Sequence, residues 1–388
     1  MTIYGYREID FDMIHYLDNS ATTAVCENAA KKAYEMMTVK YGNPSSLHHK
    51  GIEAEEEIER AREIIAASLK AQPKNIFFTS GSTEGNNTVL FGAANAKKRD
   101  GSRIIVSAVE HSSVKESAEK LRKDGYDVVF APVDRNGVVI LDELEKLIDR
   151  RTILVSVMAV NNETGAVEPS EKIGKLVKKQ SDAYYHVDAV QAYGKISVTP
   201  KKWQADFLTV SAHKVHGPKG VGALYIADTA RLLPLLYGGE QQKKIRPGTE
   251  PAPLIAAFAK AVEEFSIDKN RVYIETLNRY ATDKLREIGG ICINSAEDAL
   301  PYIINISAEG IRSETMLHFL EERAVYVSSS SACAKGKKSY VLQAMGLSDE
   351  LIDSALRISF SKYNDLSDID ALTEGLRAGL DTLQRKRT

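Results

Sequence analysis

Residues 75–87 read "NIFFTSGSTEGNN". The apolar run Ile76, Phe77, Phe78 is too short for a helix and shows no polar alternation, so it reads as a strand covered on both faces. A glycine turn follows, and from Thr83 a helical pattern runs to about residue 98. Strand, tight turn and helix in succession form the repeating unit of an α/β domain. Ser82 and Thr83 stand at the helix N-terminus, where free backbone N–H groups and the positive dipole end suit a phosphate. An ordinary helix cap would explain the pair equally well.

The unit recurs. "RIIVSAV" (103–109), "DVVFAPV" (127–133), "TILVSVMAV" (152–160), "AYYHVDAV" (183–190), "DFLTVSAH" (206–213) and "GALYI" (222–226) are of strand length and rich in β-branched and aromatic residues. Helical patterns at 114–123, 141–150 and 171–180 lie between them. Together they predict an α/β large domain with a mainly parallel seven-stranded sheet. A long helix over 51–71 precedes it, with Ile58, Ala61, Ile65 and Leu69 on one face. Past about residue 250 a helical stretch runs from 253 to the glycine pair at 289–290, followed by strand patterns at 302–307, 324–328 and 356–360. These predict a smaller C-terminal α/β domain, dividing the chain into 16–255 and 1–15 with 256–388.

Bulk properties narrow the function. The 388 residues carry 51 Lys+Arg against 53 Asp+Glu, a net charge of -2, which offers no electrostatic footprint for nucleic acid or an anionic membrane surface. No run approaches the ~20 apolar residues of a membrane span, and the first twenty residues resemble neither a signal nor a transit peptide. The three cysteines, Cys26, Cys292 and Cys333, are far apart and form no C-x-x-C, which argues against a disulfide framework or a cysteine zinc site. A small-molecule enzyme of a reducing cytoplasm is the expectation.

In doubly wound sheets ligands bind beyond the carboxyl ends of the strands. Five such ends carry polar groups here: Ser82 and Thr83, then His111, the amides of "NNETG" (161–165), Asp188 with Gln191 three residues on, and Ser211, His213 and Lys214. Each alone has a bland explanation as a cap, turn or surface group. Their conjunction matches what pyridoxal phosphate requires, namely a lysine for its aldehyde, a carboxylate beside its pyridinium nitrogen and anion binding for its phosphate. Lys214 is then the Schiff-base lysine and Asp188 the pyridinium partner. Thr83, Ser211 and His213 take the phosphate, His111 the ring face and Gln191 the phenolic oxygen.

One stretch remains, "SSSSACAKGKKSYV" (328–341), where Cys333 stands among serines and lysines rather than in apolar surroundings. The chain resembles the cysteine desulfurases of the NifS/IscS group, within the class V aminotransferase branch of fold type I pyridoxal phosphate enzymes. The similarity is carried in order by "YLDNSATT" (16–23), "YGNPSSLH" (41–48), "TSGSTEGNN" (79–87), "NNETG", "HVDAVQ" (186–191), "SAHKVHGPKGVG" (211–222), "RPGTE" (246–250), "SSACA" (330–334) and "LRISF" (356–360).

The resemblance implies conversion of L-cysteine to L-alanine, with the sulfur taken as a persulfide on Cys333 and handed to a protein acceptor. It places Asn162 near the cofactor's phenolic oxygen and the substrate, and gives Arg357 the substrate carboxylate. Thr249 would reach the cofactor phosphate of a second subunit, which implies a homodimer. Lys335, Lys337 and Lys338 beside Cys333 would favour its thiolate and an acidic docking face on the acceptor, either an iron–sulfur scaffold or a tRNA-thiolating enzyme. Ser330 stands where the family usually has glycine, and only residues 334–338 separate Cys333 from Ser339, so the acceptor would dock close by. An aminotransferase or selenocysteine lyase of the same fold would make Cys333 incidental. An inactive sulfur-transfer scaffold would leave Lys214, Asp188 and His111 without purpose.

Overall fold

The computed structural model describes residues 14–329 and 338–383. Thirteen strands are present among them: β1 (His15–Tyr16), β2 (Ile76–Thr79), β3 (Arg103–Ser107), β4 (Asp127–Ala131), β5 (Thr152–Ser156), β6 (Tyr184–Asp188), β7 (Phe207–Ser211), β8 (Gly222–Ile226), β9 (Ile291–Ile293), β10 (Ile303–Ala308), β11 (Val325–Tyr326), β12 (Ser328–Ser329) and β13 (Ala355–Ser359). The seven from β2 to β8 form one sheet in the order β2-β8-β7-β6-β5-β3-β4. Its pairs are parallel except where β8 runs against β2 and β7. This is the mainly parallel seven-stranded sheet expected from the run of apolar stretches.

The missing polar alternation now has its cause. Ile76, Phe78, Ile105, Val155 and Leu208 join the core on one face, while Phe77, Ile104, Val106, Leu154 and Phe207 join a separate core on the other. Successive side chains of a strand point to opposite faces, so a sheet buried on both sides needs apolar residues throughout. The helix Ser82–Ala96 sends Val89, Leu90, Ala93 and Ala94 into the second core. The helix His49–Ser68 covers the first with Ile58, Ala61 and Ile65, and ends near Lys70, which takes φ 52°.

The C-terminal part holds a second, antiparallel sheet in the order β12-β13-β10-β9. Its elements differ from expectation in three places. The strand β9 directly after the glycine pair, antiparallel to β10, was not expected. The helical stretch from 253 to 289 is two helices, Ala252–Glu263 and Ile267–Arg286, parted at Phe265, whose ring packs edge-on against Tyr193 at 5.1 Å. The strand pattern 324–328 divides between β11, paired with β1, and β12, paired with β13. An isolated bridge from Asp18 to Ser359 ties the segment after β1 to β13, so residues 15–20 run between the two sheets.

Candidate active site

Five of the six strands that share a direction end at one edge of the large sheet with the polar groups singled out above. After β2, the chain turns at Gly81, whose φ of 148° favours glycine, and enters the helix Ser82–Ala96 with no side chain capping its first turn. A Cβ on Gly81 would stand 3.9 Å from Ser211 Oγ. The glycine therefore leaves open the space between the helix terminus and the end of β7, bordered by the exposed Thr83, the half-buried Ser82 and the buried Ser211. Uncapped N–H groups with hydroxyls beside them form a cradle for an anion.

Asp188, at the end of β6, is 4% exposed. Its Oδ2 accepts from Asn86 Nδ2 at 2.7 Å and its Oδ1 from the Val190 N–H at 3.0 Å. Asn86 also donates to Ser113 Oγ at 2.9 Å, and Ser113 lies 2.9 Å from His111 Nδ1. The Ser113 N–H donates to the same ring nitrogen, at 3.2 Å. A ring nitrogen that accepts carries no proton, so the neutral His111 ring has its proton on Nε2. Burial holds the His111 pKa below its ordinary value; Asp188 opposes that, while Lys214 and Arg357 add to it. These four groups therefore sense one another across one site.

Lys214 lies in the turn Ala212–Lys214 just after β7 and donates from Nζ to the carbonyls of Ser20 at 2.6 Å and Ala21 at 2.7 Å. The Nδ1 of His213 lies 3.3 Å from Thr22 Oγ1, and burial, then Lys214 and Lys219, hold its pKa down to about 4. Gln191, 4% exposed, donates from Nε2 to the Ser20 carbonyl at 3.0 Å.

From the second sheet, Arg357 on β13 reaches into the same space. Nη2 donates to Asp18 Oδ1 at 2.8 Å and Nη1 to the Asn162 carbonyl at 3.1 Å, while the buried Nε has no partner among the described residues. A buried guanidinium with an unused donor suits a small carboxylate. Asn162 thus meets Arg357 through its backbone. Thr249 stands exposed on the segment following Gln241–Lys244, which docks on β2 where Gln242 accepts from the Phe78 N–H at 2.8 Å.

Cys333, with Lys335 and Lys337, lies outside the described residues. Its flanks are placed: Ser328 of β12 sits opposite Arg357 in register, and after the gap Ser339 donates to Glu163 Oε2 at 2.6 Å while Tyr340 OH donates to the Glu110 carbonyl. Lys338 pairs with Asp349 at 2.7 Å, which engages part of the charge expected to face an acceptor. The other two cysteines have raised pKa values through burial, Cys26 beneath the helices and Cys292 on β9, so neither is a poised thiolate.

Asn86 and Asp18 are the residues that sequence reading passed over. Both lie inside quoted motifs, but only the fold brings Asn86 against Asp188 and Asp18 against Arg357, 102 and 339 positions away.

The uncapped anion cradle, the buried carboxylate, the lysine at a strand end and the half-satisfied guanidinium together fit pyridoxal phosphate with an amino acid beside it. Residues 15–372 match the aminotransferase class-V family. The mitochondrial cysteine desulfurase of Candida albicans is 37% identical over 396 residues, covering 99% of this chain and 79% of that protein. Cysteine desulfurase IscS of Vibrio vulnificus is 36% identical over 379 residues, covering 95% and 93%. A solved NifS-like protein superposes with a TM-score of 0.91 at 38% identity, covering 96% of this chain and 100% of that one. The chain belongs to the aminotransferase class-V family, as a fold type I, pyridoxal phosphate-dependent enzyme of the NifS/IscS cysteine desulfurase group.

Proposed function

We propose that this enzyme takes sulfur from L-cysteine, leaving L-alanine, and carries it as a persulfide on Cys333. The net step balances without an added oxidant: substrate thiol and Cys333 thiol become alanine and the Cys333 persulfide, one carbon–sulfur bond exchanged for one sulfur–sulfur bond. Pyridoxal phosphate, when bound, supplies an aldehyde for the substrate amine and a ring that accepts electrons released from it.

The remaining roles fall to the chain. Thr83, Ser82, Ser211 and His213 hold the phosphate at the uncapped helix terminus. Asp188, fixed by Asn86, keeps a proton on the pyridine nitrogen, and His111 covers the ring. Lys214 would hold the aldehyde, and its amine nitrogen would move protons at the substrate. Gln191 and Asn162 serve the phenolic oxygen, and Arg357 grips the substrate carboxylate with Asp18 steadying its other edge. Residues 16–255 form the cofactor-holding unit in this reading, and 256–388 with 1–15 the unit that brings Arg357 and Cys333 to it.

A homodimer is supported by exposed apolar side chains: Tyr34, Met37, Val39, Tyr41 and Leu47 on and after the helix Glu27–Thr38, and Tyr237 on the loop before Thr249. Five of the six fall within residues 34–47, a clustering along the chain that suits an interaction face. The acceptor is a protein, an iron–sulfur scaffold or a tRNA-thiolating enzyme. No helix among the described residues is long and apolar enough to cross a membrane.

The convergence of Lys214, Asp188, His111 and Arg357 at one edge carries this reading. Its test is alanine and sulfide release from L-cysteine with a reductant. Equal yields, abolished in both Lys214→Ala and Cys333→Ala, are expected. Full release by Cys333→Ala would remove the persulfide and turn the reading toward a lyase or aminotransferase.

A further inference from the structure

A second lysine lies deeper in the same network. Lys195 follows Gln191 by four residues in a helical turn closed by the Tyr193 and Ile196 N–H groups, which donate to the Ala189 and Ala192 carbonyls at 2.8 and 3.0 Å. That spacing puts both side chains on one side. Gly194, at φ 73°, completes the turn, and a Cβ there would meet Phe265 Cζ at 2.8 Å, so the position of the turn is dictated by packing.

Lys195 is 7% exposed. Its Nζ donates to Gln191 Oε1 at 2.8 Å, Gln191 Nε2 donates to the Ser20 carbonyl at 3.0 Å, and the same carbonyl accepts from Lys214 Nζ at 2.6 Å. Two amines are thus joined through one amide and one carbonyl, with no carboxylate between them.

Two consequences follow from elementary chemistry. An ammonium only donates, so it admits Gln191 in one orientation, with Oε1 toward Lys195 and the NH2 toward the active site. Reversal would set two donors against each other in a buried place, where an unmet polar group costs most. The second is charge. Like charges in a poorly solvated interior disfavour each other, so an ammonium at Lys195 makes a proton on Lys214 less stable. We propose that Lys195 is a positioning residue, which locks the Gln191 amide with its donor toward the cofactor and lowers the proton affinity of the Lys214 nitrogen.

The surroundings are consistent with a charge that is costly to keep. Burial, then Lys214 and Arg357, hold the Lys195 ammonium down to about 7. The Tyr302 ring centroid lies 5.7 Å from Nζ. The cavity of about 40 Å³ that both lysines line also receives His216, Glu264 and Lys362, so one acid and two further basic groups border it. The repulsion acts where Lys195 is charged, up to about pH 7, and fades above it.

This inference rests on the reading of Lys214 given above, and the test separates the two. The visible absorbance of the cofactor-loaded enzyme, which reports the proton on the Lys214 nitrogen, is titrated from acid to alkali in wild type, Lys195→Met and Lys195→Arg. In Lys195→Met the ratio of deprotonated to protonated form at about pH 6 falls about threefold to tenfold, the effect of half a unit to one unit of pKa. Lys195→Arg keeps the wild-type curve there; at high pH the methionine and wild-type curves converge, whereas Lys195→Arg, which stays charged, keeps the higher ratio of deprotonated form. Superimposable curves for Lys195→Met and wild type would overturn the inference while leaving Lys214 in its role. A visible band in Lys214→Ala that titrates as in wild type would overturn the underlying reading instead. Should the methionine variant fail to fold, Lys195→Gln is titrated in its place, with the same fall expected and the same superposition sinking the proposal.

Discussion

Arg357 illustrates how much a single side chain is asked to do. Two of its nitrogens are committed, one to Asp18 and one to a backbone carbonyl, while Nε is buried without a partner among the described residues. The fork is therefore held in place by the protein and offers its remaining donor capacity inward. Lysine has one rotatable ammonium and cannot satisfy both edges at once. Arg357→Lys should raise KM for L-cysteine by about tenfold to a hundredfold, since a hydrogen bond to a charged group contributes about 1.5–3 kcal/mol. Steady-state kinetics decide this, and an unchanged KM would remove the substrate carboxylate from Arg357. The Asn86 contact to Asp188 belongs to the same scale. Asn86→Ala leaves Oδ2 of a buried carboxylate without its donor, so cofactor should bind at least about tenfold more weakly, measured by equilibrium dialysis against the loaded wild type. Retention equal to wild type would mean that Asp188 is oriented without Asn86.

At the scale of elements, the site depends on close approaches that only glycine permits. In β8, a Cβ on Gly222 would lie 2.6 Å from the Val210 carbonyl oxygen and 2.9 Å from Gly81 Cα, so the reversed strand is pressed against the turn that opens the anion cradle. Backbone cannot yield as a flexible side chain does. Gly222→Ala should cost about 1–3 kcal/mol of stability, read from denaturant unfolding, and should loosen cofactor binding because the turn at Gly81 is what has to move. An alanine variant as stable as wild type, with cofactor held equally, would show that the contact is relieved elsewhere. These contacts also mark what sequence reading could and could not reach. The seven strands were legible because burial on both faces suppresses polar alternation, and the polar groups at their ends were legible because Ser82, His111, Asp188 and Lys214 each directly follow an apolar run. The break at Phe265 was not, because 253–289 is continuously helical in pattern and carries no glycine or proline at the break. Nor was the division at 324–328, since two strands of two residues carry no periodicity, and their partners β1 and β13 lie far away in the chain.

For the molecule as a whole, buried acids set the response to pH. Glu168, 4% exposed, accepts from the Val139 N–H at 3.0 Å with Oε2, while its Oε1 has no partner among the described residues. Burial raises its pKa to about 8, partly opposed by that backbone contact. Glu163, beside the placed end of the Cys333 segment, is raised by burial to about 7, with Ser339 and Arg357 opposing. Glu110, fully buried, is also raised, by burial first. A carboxyl raised in the folded state is neutral there while the unfolded chain already ionises near its ordinary value, about 4.3. The folded state then binds more protons than the unfolded one, so stability falls as pH climbs from about 4.3, and the loss is complete only above the folded pKa. For Glu163 that window closes near 7 and for Glu168 near 8. Glu168→Gln keeps an acceptor for Val139 but cannot ionise, so it should melt close to wild type at pH 5 and progressively higher than wild type toward pH 8. Thermal unfolding of the two proteins across that range makes the comparison. A constant difference at every pH would show that Glu168 is not a source of the alkaline loss, and would leave Glu163 and Glu110 to account for it.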